Sequence, residues 1–246
     1  MRNAIMIAGL LGLIAAGCER KALPDAKTQV DSKLRADSET LSQPHTRADN
    51  QLAAMPDTTG APYVPVAITD KKLFMDVHEL GRGKVTAKDV AGAHQKDLLT
   101  EGKYGVDYKA YWVDEKAGKI YCLVEAPSAQ AAISVHREAH GLVASKISEV
   151  LADSPDWKPT PGKKLFMDVH HLGAGKVTAA DVAAAHKKDL AAGAKHDVKY
   201  LNYWLDAASG TVMCLSEAPT AAAALAVHQE AHGLMPDTIE EVSEGR

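Results

Sequence analysis

The chain has 246 residues and a formal net charge of −4, with 46% hydrophobic and 24% charged residues. These fractions are ordinary for a soluble globular protein, and the length allows one or two domains. No basic stripe is present, so nucleic-acid binding has no electrostatic support. Histidine is the enriched class, with eleven residues, ten of them beyond position 70.

The N-terminus, MRNAIMIAGLLGLIAAGC, has a basic start at Arg2, an apolar run and small residues before Cys18. The run is too short to span a bilayer and reads as a secretory signal peptide over 1–18. Its AAGC ending resembles a bacterial lipobox, although Ala15 stands where leucine is more usual. The expectation is a lipid on Cys18 and a lipid-anchored protein of the bacterial cell envelope, on the periplasmic or extracytoplasmic side. A plain exported protein is the alternative. Residues 19–69 are polar, lack a sustained apolar period and cannot bury enough surface to offset their ordering entropy, so a disordered tether is expected.

Residues 70–150 align with 162–242 at a constant offset of 92, without a gap and with more than half of the positions identical. This is a tandem duplication of a unit of about 80 residues. In the first copy, KLFMDVH reads as a strand and VTAKDVAGAHQKDLL as a helix capped by Thr86. YKAYWVDE and KIYCLVEAP read as two strands around a turn at Gly118. SAQAAISVHREAHG reads as a helix opened by Ser128 and closed by Gly141, and KISEV as a last strand. The order βαββαβ is ferredoxin-like. Both faces of each sheet carry apolar residues, so each copy has a second face to bury. The expected fold class is therefore α+β: two tandem ferredoxin-like domains, 70–150 and 163–242, packed sheet to sheet as an intramolecular α+β barrel. The segment 151–162, LADSPDWKPTPG, reads as a stiff, non-helical linker.

Each copy keeps the same polar set. His136 and His140 are four apart on one helix, as are His228 and His232, so each pair shares a face. Such spacing lets two ring nitrogens reach one ion, and neutral imidazole suits zinc, copper, nickel or iron. The order is His-x-Glu-x-His, which places Glu138 on the other side and leaves a zinc-peptidase mechanism unsupported. Further candidate ligands are His78, His94 and Glu125, with His170, His186 and Glu217 in the second copy. His78 ends one strand and Glu125 another, on neighbouring strands. Asp97 follows His94 by one turn, and Asp76 is a hydrogen-bond partner for a histidine. Cys122 and Cys214 read as buried thiols, with a disulfide or thiolate ligation as alternatives. His171 reads as a surface neighbour, and His196, which replaces Tyr104, as incidental.

The blocks LFMDVH, YWVDE, CLVEAPS and VHREAHGL, matched by CLSEAPT and VHQEAHGL, resemble the small ferredoxin-like nickel-binding protein family, catalogued as a domain of unknown function. The resemblance covers 71–150 and 163–242. It implies a divalent transition metal, nickel by analogy with zinc or copper as alternatives, bound at histidine sites without catalysis. Two other readings stand beside it. An oxygenase- or isomerase-type barrel enzyme would use Tyr111, Trp112, His78 or Asp76 around a cleft. A structural or interaction module would bury the histidines as hydrogen-bonded core.

Overall fold

The computed structural model describes residues 70–246. The expected leader, Cys18 and the tether lie outside the described residues.

Each repeat forms four strand segments and two helices. In the first, β1 (Lys72–Glu79) leads to α1 (Ala87–Thr100), then β2 (Asp107–Asp114), β3 (Lys119–Ala126), α2 (Ala129–Ala139) and β4 (Lys146–Glu149). A two-residue strand, β5 (Leu151–Ala152), opens the connector. The second repeat comprises β6 (Leu165–His171), α3 (Ala179–Gly193), β7 (Lys199–Asp206), β8 (Thr211–Glu217), α4 (Ala221–Ala231) and β9 (Thr238–Gly245).

Local sequence explains the element ends. Thr86 accepts from the Asp89 backbone N–H, and the Asp89 carboxylate accepts from the Thr86 N–H at 3.0 Å. Thr178 and Asp181 repeat this box for α3. The reciprocal bonds satisfy donors that a helix start leaves free. Ser128 and Thr220 cap α2 and α4. Gly118, at φ +71°, turns β2 into β3, and a Cβ there would lie 1.9 Å from the Gly81 carbonyl oxygen. No other residue fits that turn.

The strands run in the order β4-β1-β3-β2-β9-β6-β8-β7-β5. Only Val150 separates β4 from β5, so the sheet nearly closes on itself. The closure is symmetric. The segment β4–β5 pairs with β1 of its own repeat and β7 of the other. The strand β9 likewise pairs with β6 and with β2. The repeats thus exchange edge hydrogen bonds as well as meeting face to face, which leaves fewer free strand edges.

Alternation along the strands separates two environments. Met75, Tyr121, Leu123, Met167 and Leu215 face the barrel interior with Trp112, Trp157 and Trp204. Phe74, Ile120, Cys122 and Val124 face α1 and α2, and Phe166, Val212 and Cys214 face α3 and α4. The cysteines are therefore free, buried thiols beneath separate helix layers. The expected connector also contributes to the core, because Trp157 is buried inside the barrel.

The interior is filled by tryptophan. The ring centroids of Trp112, Trp157 and Trp204 lie 4.8–5.6 Å apart. Trp112 and Trp157 both donate to Glu244 Oε2 at 2.9 Å, and Arg246 holds the other carboxylate oxygen at 3.1 Å. Trp112 therefore turns away from Tyr111, His78 and Asp76, and those four do not form the shared cleft that the barrel-enzyme reading needs. Glu244→Ala leaves two indole N–H groups without acceptors. It is expected to lower stability by about 2–6 kcal/mol, given roughly 1–3 kcal/mol for each of the two buried donors left unsatisfied, and to red-shift tryptophan emission. Urea unfolding followed by fluorescence measures both effects.

Candidate metal centre

The candidate site of each repeat lies between the sheet and its helices. Asp76 and His78 stand on the helix-facing side of β1, Cys122 on that of β3, Asp97 on α1 and His136 on α2. His140 caps the C-terminus of α2. Asp76, Asp97, His78 and His136 are each no more than 4% exposed.

His136 is held from both sides. Its Nε2 lies 3.0 Å from Asp76 Oδ2, and its Nδ1 lies 3.0 Å from Asp97 Oδ1. His140 Nε2 lies 3.1 Å from His136 Nδ1 and 3.1 Å from the same Asp97 oxygen. These three atoms form a nearly equilateral triangle. The second repeat repeats it: His228 Nδ1 is 3.1 Å from Asp189 Oδ1 and 3.2 Å from His232 Nε2, which is 3.1 Å from Asp189 Oδ1. Asp168 Oδ2 stands 3.3 Å behind His228 Nε2.

Donors about 2.1 Å from one ion are about 3.0 Å apart at right angles and about 3.4 Å apart in a tetrahedron. The observed edges match one face of an octahedron. Two imidazoles and a carboxylate on such a face are a known first shell for divalent transition metals. Asp76 behind His136 supplies the carboxylate that commonly orients a ligating histidine. The residues present therefore fit a divalent transition metal.

The electrostatics agree. Burial alone would raise the Asp76 carboxyl, but the hydrogen bond and charge of His136, with His78 nearby, outweigh it and bring it down to about 2. Burial would likewise raise Asp97, which His136 and His140 bring below its usual range. Burial would lower His136, but Asp76 and Asp97 hold its proton and raise it to about 9; His228 is raised to about 9 in the same way. Without a metal, two carboxylates and one imidazolium leave a buried charge of −1. A divalent ion in place of that proton neutralises it.

The structure brings together some of the expected ligands and not others. His136 and His140, and His228 and His232, converge. His78 Nε2 lies 3.3 Å from Asp76 Oδ1, behind the triangle and poorly aligned for a hydrogen bond; His170 has the same position against Asp168. His94 and His186 are buried on α1 and α3 and line cavities beside the triangles. Burial lowers both rings towards the neutral form.

Glu125 is not at the site. In the antiparallel pair His78 faces Ile120, five residues from Glu125, which is about 17 Å along the strand. Glu125 instead pairs with Lys109 at 3.0 Å. Glu217 is also elsewhere, accepting from the Thr160 backbone N–H. Burial and the nearby Asp76 push the Cys122 thiol well up, and Cys214 behaves alike beside Asp168, which disfavours either thiolate. Glu138 points away to Lys103 and Tyr104, and Glu230 to Lys195 and His196. His196 thus preserves the contact that Tyr104 makes.

The site residues that sequence reasoning underrated are Asp97 and Asp189. Their signal was present: they lie one turn from His94 and His186 and recur in both copies.

The fold and site define a duplicated ferredoxin-like α+β barrel with one buried His-His-Asp triangle per repeat, a donor set that fits a metal ion. The family model described as "Nickel responsive protein SCO4226-like" matches residues 74–150 and again 166–242. The chain belongs to this family. The crystal structure of SCO4226 from Streptomyces coelicolor A3(2) is 40% identical, covering 35% of this chain and 99% of that one, with a TM-score of 0.30. A chlorite dismutase variant from Candidatus Nitrospira defluvii is 9% identical, covering 72% of this chain and 93% of its own, with a TM-score of 0.42. An anthrone oxidase-like protein is 9% identical, covering 72% and 94%, with a TM-score of 0.34. No protein of curated function matches.

The raised histidines give the metal-free protein a defined pH dependence. A group whose folded pKa exceeds its unfolded value of about 6.5 contributes fully below that value and loses its contribution as pH rises through the folded pKa. With His136 and His228 at about 9, chelator-treated protein is expected to lose thermal stability between pH 6.5 and 9. His136→Gln with His228→Gln is expected to flatten that slope. Melting curves across the range test this.

Proposed function

We propose that this protein is a non-catalytic metal-binding lipoprotein of the bacterial cell envelope, holding one divalent transition-metal ion per repeat, nickel by family. The first shell in each repeat is His136, His140 and Asp97, or His228, His232 and Asp189. Asp76 and Asp168 orient the central histidine. The observation that carries the reading is the triangle of donors with edges of 3.0–3.1 Å, repeated in the second copy. The His140 and His232 side chains, 9% and 8% exposed, are the most accessible donors of their triangles.

A second reading, a hydrogen-bonded structural core, has its own support. The Leu142 backbone N–H donates to His140 Nδ1 at 3.1 Å, and that of Leu234 to His232 Nδ1 at 3.1 Å. A ring that accepts at Nδ1 carries its neutral-form proton on Nε2, the nitrogen a metal needs. Loading therefore requires the other tautomer and breaks the Leu142 and Leu234 bonds. The two readings separate by experiment. Calorimetry with nickel, copper and zinc is expected to give two ions per chain. Asp97→Ala with Asp189→Ala is expected to abolish uptake. With diamagnetic zinc, the amide resonances of Leu142 and Leu234 are expected to shift as their acceptor is lost. Absence of uptake, with a lowered melting temperature in His136→Ala, supports the structural core instead.

The envelope location rests on the leader and on Cys18. Among the described residues no helix is long and apolar enough to cross a membrane, so a lipid on Cys18 is the anchor of this reading. Expressed in a bacterium with lipoprotein processing, the full chain is expected to partition into the detergent phase, and Cys18→Ser into the aqueous phase. Intact mass of the mature form tests the same point.

A further inference from the structure

We propose that the first repeat holds a second, inner metal centre formed by Asp76, His78, Cys122 and the Nε2 side of His136, a donor set for a thiophilic divalent ion. It lies across the His136 ring from the triangle. It goes beyond the reading above and does not depend on the triangle taking nickel, although the two sets share that ring.

Three observations carry it. First, these side chains offer two imidazole nitrogens, a thiol sulfur and a carboxylate oxygen, all buried and all within 4.8 Å of one another. Bonds of about 2.1–2.3 Å put tetrahedral donors roughly 3.4–3.8 Å apart, so a small inward movement closes such a shell. Second, the cluster's own hydrogen bonds do not satisfy it. Asp76 Oδ1 and His78 Nδ1 are buried without a partner, and the His78 ring meets Asp76 Oδ1 at 3.3 Å without hydrogen-bond alignment. A buried polar atom left alone is costly and calls for an explanation; an ion would engage the carboxylate oxygen and the ring together. Third, His78, Cys122 and His136 all line the cavity of about 220 Å³ beside the triangle, whose rim carries the exposed Lys84. An ion can therefore reach the set from solvent.

Sulfur sets the selectivity. Thiolate favours soft ions, whereas imidazole with carboxylate suits nickel. Without a metal, burial and the nearby Asp76 keep the proton on Cys122; a coordinated thiol loses it outright. Cys122 and His136 then each release one proton, and the ion's two charges leave the buried charge unchanged. The shared ring makes the two centres of this repeat exclusive. A neutral imidazole has one free lone pair, so His136 serves the triangle through Nδ1 or the inner set through Nε2. In the second repeat only Asp168, His170 and Cys214 group in this way, and the Tyr200 hydroxyl stands 3.2 Å from His228 Nε2. The inner centre therefore belongs to the first repeat.

The test uses the full chain with Cys18→Ser and Cys214→Ser, which leaves Cys122 as its only cysteine. Cadmium is added to one equivalent per chain. Ultraviolet thiolate-to-cadmium charge-transfer absorption is expected, with release of about two protons per ion. Nickel titrated afterwards is expected to fill one site per chain, against two without cadmium. Adding Cys122→Ser is expected to abolish the absorption and restore the second nickel. His78→Leu, which keeps the thiol, is expected to weaken cadmium binding about tenfold or more with nickel stoichiometry unchanged, and it decides the matter if Cys122→Ser fails to fold. Absence of the charge-transfer absorption overturns the inference and leaves nickel binding standing. So does an unchanged cadmium affinity in His78→Leu, or nickel that still fills two sites beside bound cadmium. A chain that shows the absorption but takes no nickel keeps the inner centre and overturns the triangle reading instead.

Discussion

The clamp on His136 governs the rest of the architecture. One imidazole joins a carboxylate from β1, Asp76, to a carboxylate from α1, Asp97, and it stands on α2. Three elements distant in sequence meet at this ring, between the sheet and the helix layer. Two buried carboxylates at that depth are costly unless compensated. A proton on His136 compensates one of them; a divalent ion compensates both. The site thus stabilises the metal-free protein, and under the proposed function the same atoms would coordinate the ion.

Duplication changes what symmetry demands of the interface. In a homodimer every cross-interface contact appears twice with identical partners. Here the two sites are retained almost residue for residue, while the contacts between repeats have diverged. Lys119 pairs with Glu240, which also accepts from Tyr121; the equivalent positions are Thr211, Ser148 and Met213. Glu244 takes two indoles, but Ala152 stands at its counterpart, and Trp204 Nε1 lacks a partner. Such pairs need two different halves. They specify each repeat for the other, which identical halves cannot do.

Much of this was legible in the sequence because the duplication printed it twice. The capping boxes at Thr86 and Thr178, the glycine stops and the strand alternation are local signals, and local signals survive without coordinates. The pairing of His136 with His140 follows from helix geometry alone. What was not legible depends on how elements meet. His78 and Glu125 both end strands, and only antiparallel register puts those ends on opposite sides. Asp97 looked like a companion of His94, yet the rotation of α1 against α2 turns Asp97 towards His136 and leaves His94 facing the cavity. The connector shows the same limit. Its prolines mark it as non-helical, but nothing local says that Trp157 enters the barrel.

The turn after α2 shows how the two states of the site differ. Gly141, at φ +80°, lets the chain fold back so that the Leu142 amide meets His140 Nδ1. In that state the ring donates from Nε2 to Asp97, and the triangle is closed by protons. An ion held at Nε2, as proposed, would displace those protons and reverse the ring's polarity, so that Nδ1 would become a donor facing a donor, and the turn would have to yield. It is built to do so at low cost: Leu142 is 39% exposed, and its neighbour Val143 is 37% exposed. Leu142 is also a wall of the cavity beside the triangle. Under the proposed function, metal loading would be linked to the shape of that cavity through a single backbone N–H, and the duplicated Gly233–Leu234 turn would couple the second centre in the same way.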